Sequence, residues 1–281
     1  MVNINGKLLE NSEASLDILN RGFQYGDSVF ETIRVINSKV IFWEEHYFRL
    51  MSSMRLLRMT IPLEFSPEFL EEEIKTLIIK NNLNAKPAKV KINISRKSGG
   101  LYLPSSRDIE YVITCQEIER AFYTLNTKDY EIELFKDHFI NSGLLSTLKT
   151  NNKLIQILGS IYAQENGYQN CILLNEKKSV VEFTNGNLFL VKGNTIKTPP
   201  LSDGCLKGIT RHYIIEIINA LDDYEVIEES ISPFELQKAD ELFMTNVISG
   251  IQPVSKYRKK VYSTELAKSL VGKLNARARL A

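Results

Sequence analysis

The chain has 281 residues, a length typical of about two domains. Hydrophobic residues make up 43% of it and charged residues 25%, which is the balance of a globular protein rather than of a disordered chain. The 35 Lys and Arg residues are matched by 34 Asp and Glu residues. The resulting net charge of +1 argues against nucleic acid or an anionic membrane as a partner.

The cysteines and the N-terminal stretch indicate where the protein works. Cys115, Cys171 and Cys205 are far apart and form no CxxC pair, which disfavours a disulfide framework and a cysteine-rich zinc site. The stretch MVNINGKLLENSEAS lacks the basic segment and apolar core of a signal peptide. No apolar run approaches the roughly 20 residues that span a bilayer. We therefore expect a cytoplasmic protein without a membrane segment.

The first part of the chain predicts a mixture of strands and helices. Two strands flank a turn at 37–39, and Ser66 followed by Pro67 marks the start of a helix. The predicted strands are 29–36, 40–43, 90–94 and 111–115, and the predicted helices are 44–58 and one that begins at 66–67.

A weaker pattern at 118–127 predicts a linker, so that a small N-terminal domain (1–117) is followed by a larger C-terminal domain (128–281). In the second domain we expect strands at 130–134, 171–174, 180–182, 188–191, 224–228 and 242–245, and helices at 150–166, 209–221, 233–238 and from 264 onward. The predicted fold class is α+β.

Familiar nucleophile, metal and nucleotide signatures are absent from the sequence. There is no GxSxG, HExxH, P-loop or GxGxxG motif. His46, His138 and His212 share no ligand spacing with a cysteine or a carboxylate, so no metal site is expected.

The segment TPPLSDGCLKGITR, residues 198–211, is the most informative local motif. Gly208 precedes a predicted helix, so the backbone N–H groups of Ile209 and Thr210 and the Thr210 hydroxyl would form a phosphate cradle at the positive end of that helix. The alternative is that Thr210 only caps its own helix turn. The segment alone leaves both interpretations open.

Two further residues gain meaning only in combination. Glu182 ends a predicted apolar strand, where a buried acid needs a partner. Lys149 lies just before a predicted helix. Taken singly, each is more simply read as a surface residue.

The order of these motifs resembles the class IV aminotransferases, the fold-type IV enzymes that use pyridoxal 5′-phosphate. The family includes branched-chain and D-amino-acid aminotransferases and 4-amino-4-deoxychorismate lyase. The motifs that carry the resemblance are NRGFQYGDSVFETIR (20–34), Glu45-His46, Arg49-Leu50, Lys149, Glu182, Asn187, TPPL (198–201), GITR (208–211) and ADELFMTN (239–246).

The resemblance implies a two-domain fold, with a small N-terminal α/β lobe and a larger C-terminal lobe around a pseudo-barrel. It also implies a homodimer with the active site near the interface. Lys149 matches the lysine that forms the Schiff base with the cofactor, Glu182 the acid at the pyridine nitrogen, and Arg49 a phosphate ligand. The other implied cofactor-binding residues are Asn187, Gly208, Ile209, Thr210, Thr245 and Asn246.

The residues for substrate depart from each well-known member of the family. Leu101 and Leu103 stand where D-amino-acid enzymes carry an Arg-x-His pair, and Lys89 and Lys91 are nearest to the Tyr-x-Arg pair of branched-chain enzymes. Thr32 matches the proton-donating threonine proposed for the lyase. Cations are still needed for a carboxylate, and the candidates are Arg21, Arg34, Lys91 and Arg96.

Three functional interpretations remain open. The first is an aminotransferase that moves an amino group between a D- or branched-chain amino acid and a 2-oxo acid. The second is 4-amino-4-deoxychorismate lyase, which forms 4-aminobenzoate and pyruvate. The third is a protein that binds pyridoxal phosphate without turnover, which the presence of both Lys149 and Glu182 disfavours.

Overall fold

The computed structural model describes residues 1–126 and 128–280. Thr127 and Ala281, the last residues of the predicted linker and of the predicted second domain, lie outside the described residues. The chain divides into two compact units. The first contains Met1–Ala121 and, later in the chain, Lys149–Asn152, and the second contains Phe122–Leu148 and Lys153–Leu280.

The first unit is a six-stranded antiparallel sheet with helices. The strand order is β2-β1-β6-β5-β3-β4. The strands are β1 (Val2–Ile4), β2 (Lys7–Leu9), β3 (Ser28–Ile36), β4 (Lys39–Val40), β5 (Ala88–Arg96) and β6 (Ile109–Glu117). The helices are α1 (Arg21–Tyr25), α2 (Trp43–Leu56) and α3 (Pro67–Lys80).

Alternating burial along β5 shows how this sheet forms its core. Val90, Ile92 and Ile94 are buried and belong to one apolar cluster with Leu50 of α2 and Leu70 of α3. This period-two pattern is the one from which the strand was predicted. The predicted start of α3 is also confirmed, since the Ser66 hydroxyl accepts a hydrogen bond from Phe69 N and Pro67 is the first helical residue.

The predicted strand at 40–43 is wrong beyond Val40. Phe42 has a φ of 55°, in the left-handed region, and this reverses the chain so that α2 begins at Trp43. Ile41 and Phe42 are apolar residues that are buried in the core, and this apolar run explains why the segment resembled a strand. Trp43 Nε1 donates to the carbonyl of Pro67 at 3.1 Å and so links the starts of α2 and α3.

The second unit is built on a branched ten-stranded sheet, in the order β12-β11-β10-β9-β8-β7-β15-β16, with β13 pairing to β10 and β14 to β13. Its strands are β7 (Glu131–Ile140), β8 (Asn170–Asn175), β9 (Val180–Phe183), β10 (Gly186–Lys192), β11 (Thr195–Thr198), β12 (Glu225–Glu228), β13 (Glu241–Asn246), β14 (Gly250–Pro253), β15 (Lys256–Tyr257) and β16 (Lys260–Val261). Its helices are α4 (Leu154–Glu165), α5 (Ile209–Asn219), α6 (Pro233–Leu236) and α7 (Glu265–Leu280), with 3₁₀ turns at Leu144–Thr147 and Leu201–Asp203. The predicted α+β class is confirmed.

The helix predicted from residue 150 begins four residues later, at Leu154. Thr150 forms an antiparallel bridge with Val29, and Asn151 N donates to Ser28 O at 3.2 Å. These contacts hold residues 149–151 extended beside β3, a pairing that local periodicity cannot reveal.

Several short elements were not predicted, namely β1, β2, α1, β11, β14, β15 and β16. Each has five residues or fewer, which is too short for a periodic pattern to stand out. None of the helices in the described residues combines the length and apolar composition that a bilayer span requires.

Candidate functional site

The main chain holds Lys149 beside β3 in the first unit. Phe30 N donates a hydrogen bond to Lys149 O at 2.8 Å. The Lys149 ammonium lies 4.4 Å from the centre of the Phe30 ring, and the Lys91 ammonium lies 4.5 Å from the centre of the same ring. One aromatic ring therefore brings together two of the lysines that the sequence singled out.

Lys91 and Thr32 are direct register partners on β5 and β3. Side chains of paired residues project from the same face of a sheet, so Thr32 lies on the face that also carries Phe30. Burial lowers the pKa of Lys91, and the neighbouring charge of Lys89 lowers it further. Thr32, Lys91 and Lys149 are thus grouped on the half-buried face of β3.

The opposite face of β3 carries a buried ionic cluster of Glu31, His46 and Arg49. Arg49 donates from Nε to Glu31 Oε1 at 2.7 Å and from Nη2 to Oε2 at 2.5 Å. His46 Nδ1 lies 2.7 Å from Glu31 Oε2. Glu31 is 1% exposed and His46 is fully buried, so α2 and β3 are joined by a charge pair shielded from water.

The cluster fixes the charge of its members. Burial raises the pKa of Glu31, but the Arg49 charge and hydrogen bonds from His46 and Arg49 outweigh it and lower that pKa from 4.5 to about 2. Burial lowers the pKa of His46, so its imidazole is neutral near pH 7. A neutral His46 that donates from Nδ1 to Glu31 has a bare Nε2, and in the described part of the chain this buried atom has no hydrogen-bond partner.

Glu31 and His46 were not identified as site residues from the sequence, although a signal was present. Glu31 alternates with Val29 and Ile33 on the buried face of β3, and an acid in that row needs a cationic or hydrogen-bonding partner. His46 and Arg49 are three residues apart on α2, the spacing that places both on one helix face.

In the second unit, Glu182, Asn187 and Thr245 form a row across three adjacent strands. Asn187 on β10 pairs in register with Glu182 on β9 and with Thr245 on β13. The segment before α5 closes on this row, because Leu206 N donates to Glu182 Oε2 at 3.0 Å and Asn187 Nδ2 donates to Leu206 O at 2.8 Å. The structure thereby assembles three of the predicted cofactor-binding residues.

Residue 208 is restricted to glycine because its backbone lies close to Asn187 of this row. A Cβ atom at Gly208 would lie 1.9 Å from Asn187 Oδ1, so no larger residue fits unless Asn187 moves. Gly208 also precedes the first residue of α5, and no side chain caps that helix end. Ile209 and Thr210 are buried directly after it.

Two threonine hydroxyls here are buried without partners. Among the described residues, Thr210 Oγ1 and Thr245 Oγ1 have no hydrogen-bond acceptor or donor nearby. The idea that Thr210 caps its own turn is therefore wrong. A buried unpaired hydroxyl costs about 1–3 kcal/mol, so these two groups favour a polar ligand at the positive end of α5. A phosphate, with its several acceptor oxygens, fits that requirement.

The side chain of Asn246, predicted as a cofactor-binding residue, forms hydrogen bonds within its own turn. Its Nδ2 donates to Asn185 O at 3.1 Å, and its Oδ1 accepts from Ile248 N and Ser249 N at 3.0 and 2.7 Å. Its role in cofactor or substrate binding stays a prediction.

Three of the four cations proposed for a substrate carboxylate are engaged within the first unit. Arg21 and Arg96 both donate to Asp27, at 2.9 and 3.0 Å, and to main-chain carbonyls. Arg34 is buried and donates to the carbonyls of Arg120 and Ala121. Lys91, by contrast, makes no ion pair in the described part of the chain.

No group of three or more His, Cys, Asp or Glu side chains in residues 1–126 and 128–280 is arranged to hold a metal ion.

Comparison with known proteins gives a consistent result. The sequence pattern of the family described as amino-transferase class IV matches residues 28–257. A Methanocaldococcus jannaschii protein assigned as a branched-chain-amino-acid aminotransferase is 31% identical over 271 residues, covering 96% of this chain and 92% of its own. The D-alanine aminotransferase of Listeria monocytogenes is 27% identical, covering 90% and 86%. A solved Legionella pneumophila structure, assigned as a 4-amino-4-deoxychorismate lyase, is 27% identical with a TM-score of 0.84, covering 95% and 97%.

Substitution of Glu31 by Gln tests the buried ion pair. We expect the free energy of unfolding, from urea titrations, to fall by about 3 kcal/mol at pH 7, because Arg49 loses its counter-charge. Glu31 has a depressed pKa in the folded protein, so its stabilising contribution is full above about pH 4.5 and is lost as pH falls toward 2. The difference in unfolding free energy between wild type and variant should therefore become smaller from pH 5 to pH 3. Glu44→Gln, an exposed residue on the same helix, is the control, and a gap that stays constant with pH would contradict the assignment.

Proposed function

The chain belongs to the class IV aminotransferase family, and on this premise we propose that it transfers an amino group between an amino acid and a 2-oxo acid with the help of bound pyridoxal 5′-phosphate. The observation that carries the proposal is the family match over residues 28–257, which includes Lys149 and Glu182. Both relatives reported above are named as aminotransferases.

The residues of the second unit suit the phosphate and ring of this cofactor. Thr210 and Thr245 offer two buried hydroxyls that have no partner in the described residues, and the N-terminus of α5 offers main-chain N–H groups. Glu182 would hold a proton at the pyridine nitrogen. When bound, the cofactor supplies an electron sink that makes the α C–H of an amino acid acidic.

The residues of the first unit supply the base and a further phosphate ligand. Lys149 would hold the cofactor covalently when no substrate is present, and its Nζ would then take the α-proton of the amino acid and return it. Arg49 would donate to the phosphate while Glu31 orients its guanidinium.

Replacing Lys149 by Ala tests the proposal. Purified wild type should show the visible absorption of bound pyridoxal phosphate, and this band should change when a substrate amino acid is added. In Lys149→Ala, substrate should no longer change the absorption band, and turnover should fall at least about 10³-fold because the base is absent. Lys192→Ala, a surface lysine paired with Asp240, serves as the control. Full turnover in Lys149→Ala would contradict the assignment.

The same titration with D- and L-amino acids separates the candidate activities. The series that changes the band gives the stereochemistry of the donor. If neither series changes it, lyase activity on 4-amino-4-deoxychorismate becomes the better reading. The similarity to the Legionella pneumophila protein favours that reaction as the second candidate. Thr32, beside Lys91 in the sheet, would be its proton donor.

We infer that Lys91 binds the substrate carboxylate. Arg21, Arg34 and Arg96 are engaged by Asp27 or by carbonyl groups, whereas Lys91 shares the Phe30 ring with Lys149. Each ammonium is within 4.5 Å of the ring centre, so the two nitrogens lie at most about 9 Å apart. An amino acid bound at Lys149 could place its carboxylate at that distance.

Substitution of Lys91 by Gln should therefore raise KM for the amino acid at least about tenfold, the loss of one charge-assisted hydrogen bond, with a smaller effect on kcat. Steady-state kinetics with both substrates measures the split. Lys89→Gln lies two residues earlier on β5 and removes the same charge. An equal rise in KM for Lys89→Gln would assign the effect to the general electrostatic field rather than to contact.

We further propose that the protein is a homodimer that uses α4. Leu154, Ile157, Leu158 and Ile161 form an exposed apolar stripe at helical spacing, and Leu154 is 74% exposed. Such a stripe is costly in water and is typical of a surface that a second copy covers.

Sedimentation velocity tests this proposal. We expect wild type to sediment at twice the chain mass of 32.2 kDa. Ile157→Lys places a charge within the stripe and should shift the equilibrium toward monomer, whereas Ser160→Lys, beside the stripe on the same helix, should not. A monomer at all concentrations would refute the proposal.

A further inference from the structure

A concave site, which we call the basic cavity, lies in the second unit. It has a volume of about 600 Å³ and is bounded by β7, β8, α6 and the β15–β16 hairpin. Its floor is apolar, formed by the buried side chains of Leu134, Leu174 and Tyr257. None of its lining residues is among those proposed to bind pyridoxal phosphate. The volume is within the range of small-molecule sites, about 300–1,000 Å³.

Cations dominate the rim of the basic cavity. The lining includes Lys136, Lys177, Lys178 and Arg258, and no Asp or Glu among the described residues lines it. Arg258 is paired with Glu133 at 3.2 Å, but the three lysines form no ion pair in the described part of the chain. Because acids and bases are equal in number to within one over the whole chain, this local excess of positive charge is a property of the site.

The turn that carries two of these lysines is rigidly held. Asn175 is fully buried, and its Oδ1 accepts from Lys177 N at 3.1 Å and from Ser179 N at 2.9 Å. Its Nδ2 donates to Asp203 O at 3.2 Å. Lys178 has a φ of 63°, a conformation that this network imposes on a residue other than glycine. The backbone beneath both ammonium groups is therefore ordered before any ligand binds.

Two phenylalanine rings complete the lining. Phe234 of α6 is 77% exposed and Phe139 of β7 is 39% exposed. Both rings are accessible rather than buried in the core, and both line the same cavity as the lysines. Aromatic faces next to cations suit a planar ring that carries negative charge.

We propose that the basic cavity binds a nucleoside phosphate, with its base against Phe234 and its phosphate against Lys136, Lys177 and Lys178. A phosphate monoester carries close to two negative charges at pH 7, which matches a rim of several lysines better than a single carboxylate does. This site is additional to the aminotransferase site and binds its ligand without chemistry.

Calorimetric titration of AMP into the protein saturated with pyridoxal phosphate tests the proposal. We expect saturable binding of one AMP per chain. Adenosine lacks the charge and inorganic phosphate lacks the ring, so each should bind at least about tenfold more weakly than AMP. No saturable binding of AMP, or equal affinity for AMP and inorganic phosphate, would overturn the proposal.

Variants locate the binding. The double variant Lys177→Gln/Lys178→Gln should lower AMP affinity at least about tenfold by removing two charge-assisted contacts, and Phe234→Ala should lower it about fivefold. Lys259→Gln is the control, since this exposed lysine follows Arg258 in the chain but does not line the cavity. Retention of the visible cofactor band shows that each variant is folded. Wild-type affinity in the double variant, or the same loss in Lys259→Gln, would refute the site.

Discussion

The alternation of side chains along β3 is the constraint on which the first unit depends. One face of the strand directs Glu31 into the core, where Arg49 neutralises its charge and a hydrogen bond with His46 helps to orient it. The other face carries Phe30, against which Lys149 is held by main-chain bonds from a distant part of the sequence. A shift of one residue in register would exchange the two faces, bringing the acid to the lysines and an aromatic ring into the ionic cluster.

In the second unit, the candidate phosphate site contains buried polar groups without partners in the described residues. Asn187 pairs in register with Thr245 and lies against Gly208, two residues before Thr210. Both threonine hydroxyls are buried without partners in the described residues, a cost that a folded chain bears where a ligand repays it. Here a closely packed glycine and incomplete hydrogen bonding occur together, which is what the proposed phosphate site requires.

The sequence predicted most of the longer helices and strands, because their apolar periodicity is intrinsic to each segment. The sequence-based prediction failed where pairing between residues far apart in the chain determines the conformation. Thr150, for example, extends along β3 instead of starting a helix. Motif order alone singled out Lys149, Glu182 and Thr210, whose roles in cofactor binding and catalysis stay predictions. It could not reveal that Arg21 and Arg96 are committed to Asp27, since neither their side-chain directions nor their partners are encoded in spacing. To identify Glu31 as a site residue, the burial pattern of β3 had to be combined with the position of α2, which carries its partners.

The position of Trp43 has a practical consequence for following the folding of this chain. It is the only tryptophan in the sequence, and its indole bonds to Pro67 within the first unit. Tryptophan fluorescence therefore reports the melting of that unit and is silent about the branched sheet. Circular dichroism records the secondary structure of both. Coincidence of the two signals during denaturation would identify a single cooperative transition, and separate midpoints would identify two.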